Sequence, residues 1–542
     1  MLLLYDGNGE NRVKRMLKNI LPIIVILIVI VFFACSKVNF HMDEFYSYTF
    51  ANGDRFLYEN IEEVTDENGT YYHLTKDIIK DALTVEGKEE TFQFKKIIDN
   101  CSKDIHPPLF YVLLNIVSSI FSVGVFSKWP GLIMNIVLYL LTLYLLYKTV
   151  DKLLNKSTIA LSVVILYGIS PIGLSSMLMI RDYCLLSLLA VIFIYLIIIH
   201  NKNDKLYVYL FIILTTALGM LTHYYFAAFA IIISLAYLIY LIVNKKYKKA
   251  LLYLISIILG LELSFLIFPS SKNAIFATGK FNGGGSLSRI INIKGYVETI
   301  GQYFTIKQFL GSVVSIVIIS LLLIVLINVK TKKTAKTKMD ENTKLGFVLI
   351  FADIVTLIVI IIISPYPADR YTYLVFPLLY MVVGLLLYRF DGFSDSKIII
   401  GSIMISLLCI MLARPGYLYI QEKEYHQTIN KNNDSMCMYL GAFKHNNESI
   451  MICDALDYMS FDEVLLAQRI GDESFDSIIK KLENVNRLVV FCGINPDIVE
   501  NRNLDSLFYG ENEVKTIMNR LNMKKYKCIH DGDYSTTYLI ER

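Results

Sequence analysis

The chain has 542 residues, 55% of them hydrophobic, and a mean hydropathy of +0.51 that excludes a soluble globular protein. The net charge of +4 says little by itself, because in membrane proteins the position of a charge outweighs the sum. No nucleic-acid partner is expected.

Runs such as Leu21 to Phe33, Leu251 to Phe268 and Ile354 to Ile363 are apolar on all faces, as a bilayer core demands. The first span, roughly 19–37, follows Arg12, Lys14, Arg15 and Lys18. It reads as a retained anchor, since Phe33-Ala34-Cys35 lacks the aliphatic residue of a lipoprotein cleavage site. Further spans are expected at 129–147, 158–179, 182–199, 207–222, 224–243, 250–268, 309–328, 345–363, 372–388 and 398–413, eleven in all. Lysines fix their direction. Lys148, Lys152 and Lys156, then Lys202 and Lys205, then Lys245 to Lys249, the run Lys330 to Lys344, and Arg389 with Lys397 fall on alternate connections. Basic residues stay cytoplasmic, so the N-terminus is expected inside and the C-terminal domain outside.

Leu109 to Phe126 is left out of the count, because a span there would turn every later lysine loop outward. It follows Pro107-Pro108, carries Asn115, Ser118, Ser119 and Ser122, and reads as an amphipathic helix in the outer interface. The expected fold class is a polytopic α-helical membrane protein with interfacial helices in its first outer loop and a soluble C-terminal α/β domain. The domains would be 1–413, with a first outer loop at 38–128 and a mobile outer loop at 269–308, and 414–542. The segment 38–105 holds 15 acidic against 7 basic residues, in keeping with an outer position. Loop 269–308 contains Asn282-Gly283-Gly284-Gly285-Ser286, a stretch with little conformational preference. In the tail, Ser449 to Cys453 and Arg487 to Phe491 read as strands, and 461–470 and 474–482 as helices.

The chemical-looking motifs all fall on the expected outer face. Asp43 and Glu44 follow the first span in Phe40-His41-Met42-Asp43-Glu44. They read either as a carboxylate base for an acceptor hydroxyl or as acids at a helix N-terminus. In Asp104-Ile105-His106-Pro107-Pro108-Leu109 the two prolines suit the first turn of a helix and would hold Asp104 and His106 rigidly. Arg181, Arg370 and Lys128 lie at outer mouths of spans, either as a phosphate clamp or as interfacial anchors. Tyr183 and His223 lie in the same layer. No cofactor is certain; if a divalent metal takes part, His41, His106 and His223 are the ligands to consider. Eight cysteines without CxxC or CxxH spacing give no zinc or redox motif. Cys437, Cys453, Cys492 and Cys528 leave room for one or two disulfides in an oxidising compartment.

In combination these motifs resemble the GT-C superfamily of polytopic glycosyltransferases, in the family 39-like branch with the protein O-mannosyltransferases and the lipid A aminoarabinose transferases. Asp43-Glu44 looks like that family's first-loop acidic pair, and His106-Pro107-Pro108-Leu109 like its HPPL segment. Arg181-Asp182-Tyr183, Thr222-His223-Tyr224-Tyr225 and Arg370-Tyr371 are similar to segments of its bacterial members. Lys128-Trp129-Pro130 departs from the family's Arg-Leu-Pro. The resemblance covers about residues 15–390 and not the tail.

It implies a transferase that takes a sugar from a polyprenyl-phosphate donor at the outer leaflet and passes it to a glycan, lipid or protein acceptor. Asp43 would be the base, with Glu44 positioning donor or acceptor. Arg181, Arg370 and Lys128 would receive the developing phosphate charge, with Asp104, His106, His223 and Tyr183 supporting them. The competing readings are a polyprenyl-lipid transporter or flippase, for which Glu262, Asp353 and the Ser170-Pro171 interruption would matter, and a glycan ligase or polymerase.

Overall fold

The computed structural model describes residues 12–53, 61–104, 106–276, 294–331, 340–390, 393–443, 451, 454–496, 508–532 and 535–542. It divides into two compact units: Met1–Ser36, Cys101–Phe110 and Leu132–Tyr417 form one, and Lys37–Asn100, Tyr111–Gly131 and Leu418–Arg542 the other.

The first unit is helical and makes the chain a polytopic helical membrane protein. Among the described residues, seven helices are long and apolar enough to cross a bilayer, and an eighth span results if the bent pair Ser157–Gly168 and Pro171–Leu178 is counted as one. The other expected spans coincide with shorter apolar helices, Ile20–Ser36, Leu206–Met220 and Phe376–Phe390. The bend of 63° has a local cause. Pro171 has no N–H to continue the preceding helix, and the Ser170 hydroxyl accepts the Gly173 N–H at 3.0 Å, starting a new one. The Tyr183–Lys202 helix is the buried centre of this unit, and Asp395–Leu412 lies at its edge. Exposed Leu210, Leu214, Ile231, Leu235 and Ile239 are the side chains a lipid phase would cover.

The second unit is built on a seven-stranded sheet. Its strands are β1 (Glu62–Asp66), β2 (Gly69–Thr75), β3 (Met436–Leu440), β4 (Glu463–Ala467), β5 (Arg487–Cys492), β6 (Lys525–Asp531) and β7 (Thr536–Glu541), in the order β1-β2-β4-β3-β5-β7-β6. The centre is parallel, with Met438 opposite both Leu465 and Val490. The edges are antiparallel. Helices Glu473–Lys481 and Glu511–Leu521 press Phe475, Ile478, Val514 and Ile517 onto Met438, Leu465, Leu488 and Val490. Each such buried side chain contributes about 1.5–3 kcal/mol relative to exposure.

This arrangement corrects two expectations. The tail from 414 is not a self-contained domain, because β1 and β2 of the 38–128 segment complete its sheet, with Tyr72 paired to Leu466. The region 461–470, expected as helix, contains β4. Its Val464 to Ala467 are buried throughout, and a strand covered on both faces carries no period-two signal. Arg487–Cys492 is a strand and Glu473–Lys481 a helix, as expected. Apart from Met451, Ser449–Cys453 lies outside the described residues, as does Asn282–Ser286. Among the described residues, Cys437, Cys492 and Cys528 are free thiols.

The helix Leu109–Phe121 is amphipathic in an unusual sense. Its polar residues point inward: Asn115 Nδ2 donates to Ala51 O at 2.9 Å, and Ser118 Oγ accepts from Asn52 Nδ2 at 3.3 Å. Ile120 and Phe121 are exposed instead. A water-exposed helix would reverse these faces.

Candidate functional site

In the helical unit the chemistry of the sequence motifs reduces to a chain of three side chains. Asp104 Oδ2 lies 2.5 Å from His106 Nδ1, and His106 Nε2 lies 2.8 Å from Arg181 Nη2. A guanidinium can only donate. Nε2 must therefore accept, the imidazole proton sits on Nδ1, and that proton is given to Asp104. His106 is thus held in one orientation between a carboxylate and a guanidinium. Local structure supplies the rigidity. Pro107 and Pro108 precede the Leu109–Phe121 helix, and Leu109 N–H donates to Leu221 O at 3.0 Å, two residues before His223.

Arg181 is 4% exposed and lies between the Pro171–Leu178 and Tyr183–Lys202 helices. Its Nε is 3.8 Å from Asp182 Oδ1. His223 Nδ1 accepts the Tyr225 N–H at 3.0 Å. Burial first, with His106 and Arg181 adding to it, pushes the His223 pKa down to about 3, so its neutral form prevails at physiological pH.

Rings continue the cluster. Tyr183 lies 5.4 Å from the His223 ring and 6.1 Å from that of Tyr371. Tyr371 in turn meets Tyr225 at 5.5 Å and Tyr366 at 5.6 Å. The Arg370 guanidinium stands 5.4 Å from the Tyr366 ring and 5.2 Å from the Tyr371 ring, and its Nη2 donates to the Tyr366 hydroxyl at 2.7 Å. Such contacts hold a buried cation through the ring quadrupole. Below it, Asp369 Oδ1 accepts from Arg370 N at 2.9 Å and from Tyr417 at 3.0 Å, and Oδ2 accepts from Tyr373 at 2.9 Å. Burial raises the Asp369 pKa against those hydrogen bonds.

The sheet unit carries the first-loop motif. His41 is the N-cap of the Met42–Asn52 helix, and with Glu44 it closes a capping box. Glu44 Oε2 accepts from His41 N–H at 2.7 Å and from Lys37 Nζ at 3.0 Å, with both side chains fully buried. Glu44 thus caps this helix and pairs with Lys37. Asp43 differs. Its carboxylate keeps 17% of its surface and lies 3.5 Å from His41 Nδ1, which leaves a reachable acid at the mouth of the helix. Lys128 donates to the Lys37 carbonyl and lies 5.2 Å from the Trp129 ring.

Asp104, His106, Arg181, Tyr183, His223 and Arg370 thus belong to the helical unit, and His41, Asp43, Glu44 and Lys128 to the sheet unit. Among the described residues no group of three or more His, Cys, Asp or Glu is arranged to hold a metal ion. Three participants escaped the sequence reading. Lys37 closes the first expected span with a lysine at the end where the expected orientation places none, which was a usable signal. Tyr366 and Tyr417 gave none, since tyrosine is common throughout this chain.

Residues 105–268 match the family model for dolichyl-phosphate-mannose-protein mannosyltransferases. That segment is similar to this mannosyltransferase family. The matched stretch contains His106, Arg181, Tyr183 and His223, and stops short of Asp43 and Arg370. No curated protein matches. Two solved structures align over 96% of this chain and 97% of theirs at 10% identity: ArnT from Cupriavidus metallidurans in the apo state, TM-score 0.49, and the same protein bound to undecaprenyl phosphate, TM-score 0.48.

Proposed function

We propose that the chain is an integral membrane glycosyltransferase of eleven spans, N-terminus in the cytoplasm and tail outside, which moves a sugar from a polyprenyl-phosphate carrier to an extracytoplasmic acceptor. The observation that carries the reading is the buried Arg181 guanidinium, which lies with its partner His106 inside the segment similar to the mannosyltransferase family, with Asp104 just ahead of that segment. Arg370, backed by Tyr366 and Tyr371, is a second cation of the same unit.

In the proposed reaction the acceptor oxygen attacks the anomeric carbon while Asp43 takes its proton. The bond from that carbon to the phosphate oxygen breaks, and polyprenyl phosphate departs with the electron pair. Attack opposite the leaving group inverts the anomeric configuration. Arg181 and Arg370 stabilise the charge that grows on the phosphate, which matters most where water is excluded. Lys128 is a weaker candidate for that task, given its bond to the Lys37 carbonyl. Glu44 acts through the helix it caps and through Lys37.

The test is sugar transfer by the purified protein from a panel of polyprenyl-phosphate sugars, with Asp43→Asn alongside. Transfer by the wild type and a loss of about a thousandfold or more in the variant, with donor binding kept, is the expected result. Undiminished turnover in Asp43→Asn removes that base from the mechanism. The transporter reading draws on Asp353, a fully buried acid in the Glu341–Ile363 helix whose carboxylate oxygens have no hydrogen-bond partner among the described residues. Carrier movement across vesicles without any transfer would favour it.

A further inference from the structure

The tail meets the first-loop motif inside the sheet unit. Immediately after the first helix ends at Ser36, Val38 N–H donates to Leu418 O at 2.8 Å. Asn39 then divides its amide. Its Oδ1 accepts the Phe40 N–H at 2.8 Å, and its Nδ2 donates to Glu422 Oε2 at 2.6 Å. The orientation of the amide is thus fixed by both ends, and the bond to Glu422 is charge-assisted.

Glu422 is itself held. His426, one helical turn on, brings Nε2 to 3.7 Å from Glu422 Oε2, and its Nδ1 lies 2.5 Å from Asp457 Oδ1. Asp457 is almost wholly buried, beside Asp454, whose Oδ2 accepts from Ser535 Oγ at 2.7 Å. The Tyr425 ring stacks on His530 at 4.1 Å, closing the far side. On the near side the Lys37 ammonium lies 5.5 Å from the Phe40 ring and 5.7 Å from that of Tyr419. Tyr419 adopts φ +52°, a left-handed conformation uncommon for a bulky residue.

A plain tether would need no more than the backbone bond between Val38 and Leu418. Burying a line of charged groups is expensive, and such groups fix geometry better than they add stability. What lies at the end of this line is the loop Asn39 to Glu44, with Asp43 four residues from Asn39. We infer that Glu422 is a positioning residue, which through Asn39 sets the backbone that presents Asp43; this rests on the proposed role of Asp43 as base.

The test exchanges the two ends of the bond. Asn39→Asp keeps the acceptor for Phe40 N–H but sets a carboxylate against Glu422. Asn39→Asp with Glu422→Gln restores a bond of reversed direction. The expected outcome is a kcat about tenfold lower in Asn39→Asp with donor affinity unchanged, and recovery to within about threefold of wild type in the double variant. Hydrogen exchange of the 37–46 segment, measured on the same proteins, should rise in the single variant and return in the double. Unchanged kcat in Asn39→Asp, or a double variant no better than the single, overturns the inference. If the wild type transfers no sugar, the proposed function fails, and the exchange experiment still decides the clamp: equal exchange in all three proteins sinks it.

Discussion

Two histidines in the two units make nearly the same bond and sit in opposite electrostatic settings. His106 and His426 each place Nδ1 2.5 Å from an aspartate oxygen. The difference lies at the other nitrogen. His106 Nε2 faces the Arg181 guanidinium at 2.8 Å, a group that can only donate. His426 Nε2 faces Glu422. Burial pulls the His426 pKa down, but Asp457 and Glu422 together outweigh it and raise it to about 9, so this imidazole is a cation. An aspartate–histidine pair therefore does not define a chemistry by itself. The third group decides whether the ring aligns a cation or balances two anions.

Within this comparison the largest effect should come from removing the guanidinium that His106 faces. Arg181→Ala is expected to weaken polyprenyl-phosphate sugar binding about a hundredfold, or roughly 2.7 kcal/mol, since a charge-assisted phosphate contact in a dry site is lost. Donor affinity within a few-fold of wild type would make Arg181 an anchor, and the parallel between the units would lose its functional half.

Next in size are the two glutamine substitutions, which should separate the histidines. A glutamine amide has one donor group and one acceptor, like neutral imidazole, but carries no charge. His426→Gln leaves Asp457 and Glu422 without their cation and should cost about 2 kcal/mol of stability, the partial exposure of the pair moderating the usual penalty. Denaturant unfolding would read it. His106→Gln can donate to Asp104 and accept from Arg181, so donor affinity and kcat should fall by less than about fivefold. A loss as large as that of Arg181→Ala would mean that His106 acts as a charged or proton-transferring group.

The sequence made the helical unit legible because each span is a local property: about 20 apolar residues and a lysine beyond them. The bend at Ser170-Pro171 was legible for the same reason. The sheet unit was not. The pairing of Tyr72 with Leu466 joins residues almost 400 positions apart, and β4 is buried on both faces, so no periodicity distinguished it from a helix. At the candidate site the residue types were visible, and so were both readings of Asp43 and Glu44. The buried pairing of Glu44 was not, because it depends on Lys37 reaching Glu44 Oε2 at 3.0 Å, across seven residues of chain. The same holds for His426, whose partner Asp457 comes from a separate helix.

The smallest effect is the most graded, and it tests the cationic member of the pair without any substrate. Burial, with Asp457 alongside, raises the Asp454 pKa to about 8 against the Ser535 hydrogen bond. Unfolded, it would titrate near about 4, and His426 near about 6.5. The sign is the same for both groups, since each holds its proton more tightly in the folded chain. Asp454 contributes stability that is complete below about pH 4 and is lost as pH rises toward 8. His426 contributes stability that is complete below about 6.5 and is lost as pH rises through 9. Their windows overlap between about pH 6.5 and 8, where the slope should reach roughly two protons. Thermal unfolding of the sheet, followed by its amide I infrared band from pH 6 to 9, should therefore show a midpoint that falls with pH. Asp454→Asn cannot ionise, so its midpoint should fall less steeply over the same range. Equal slopes in the two proteins would mean that Asp454 is already ionised in the folded unit, and that His426 is balanced by one more anion than the geometry assigns to it.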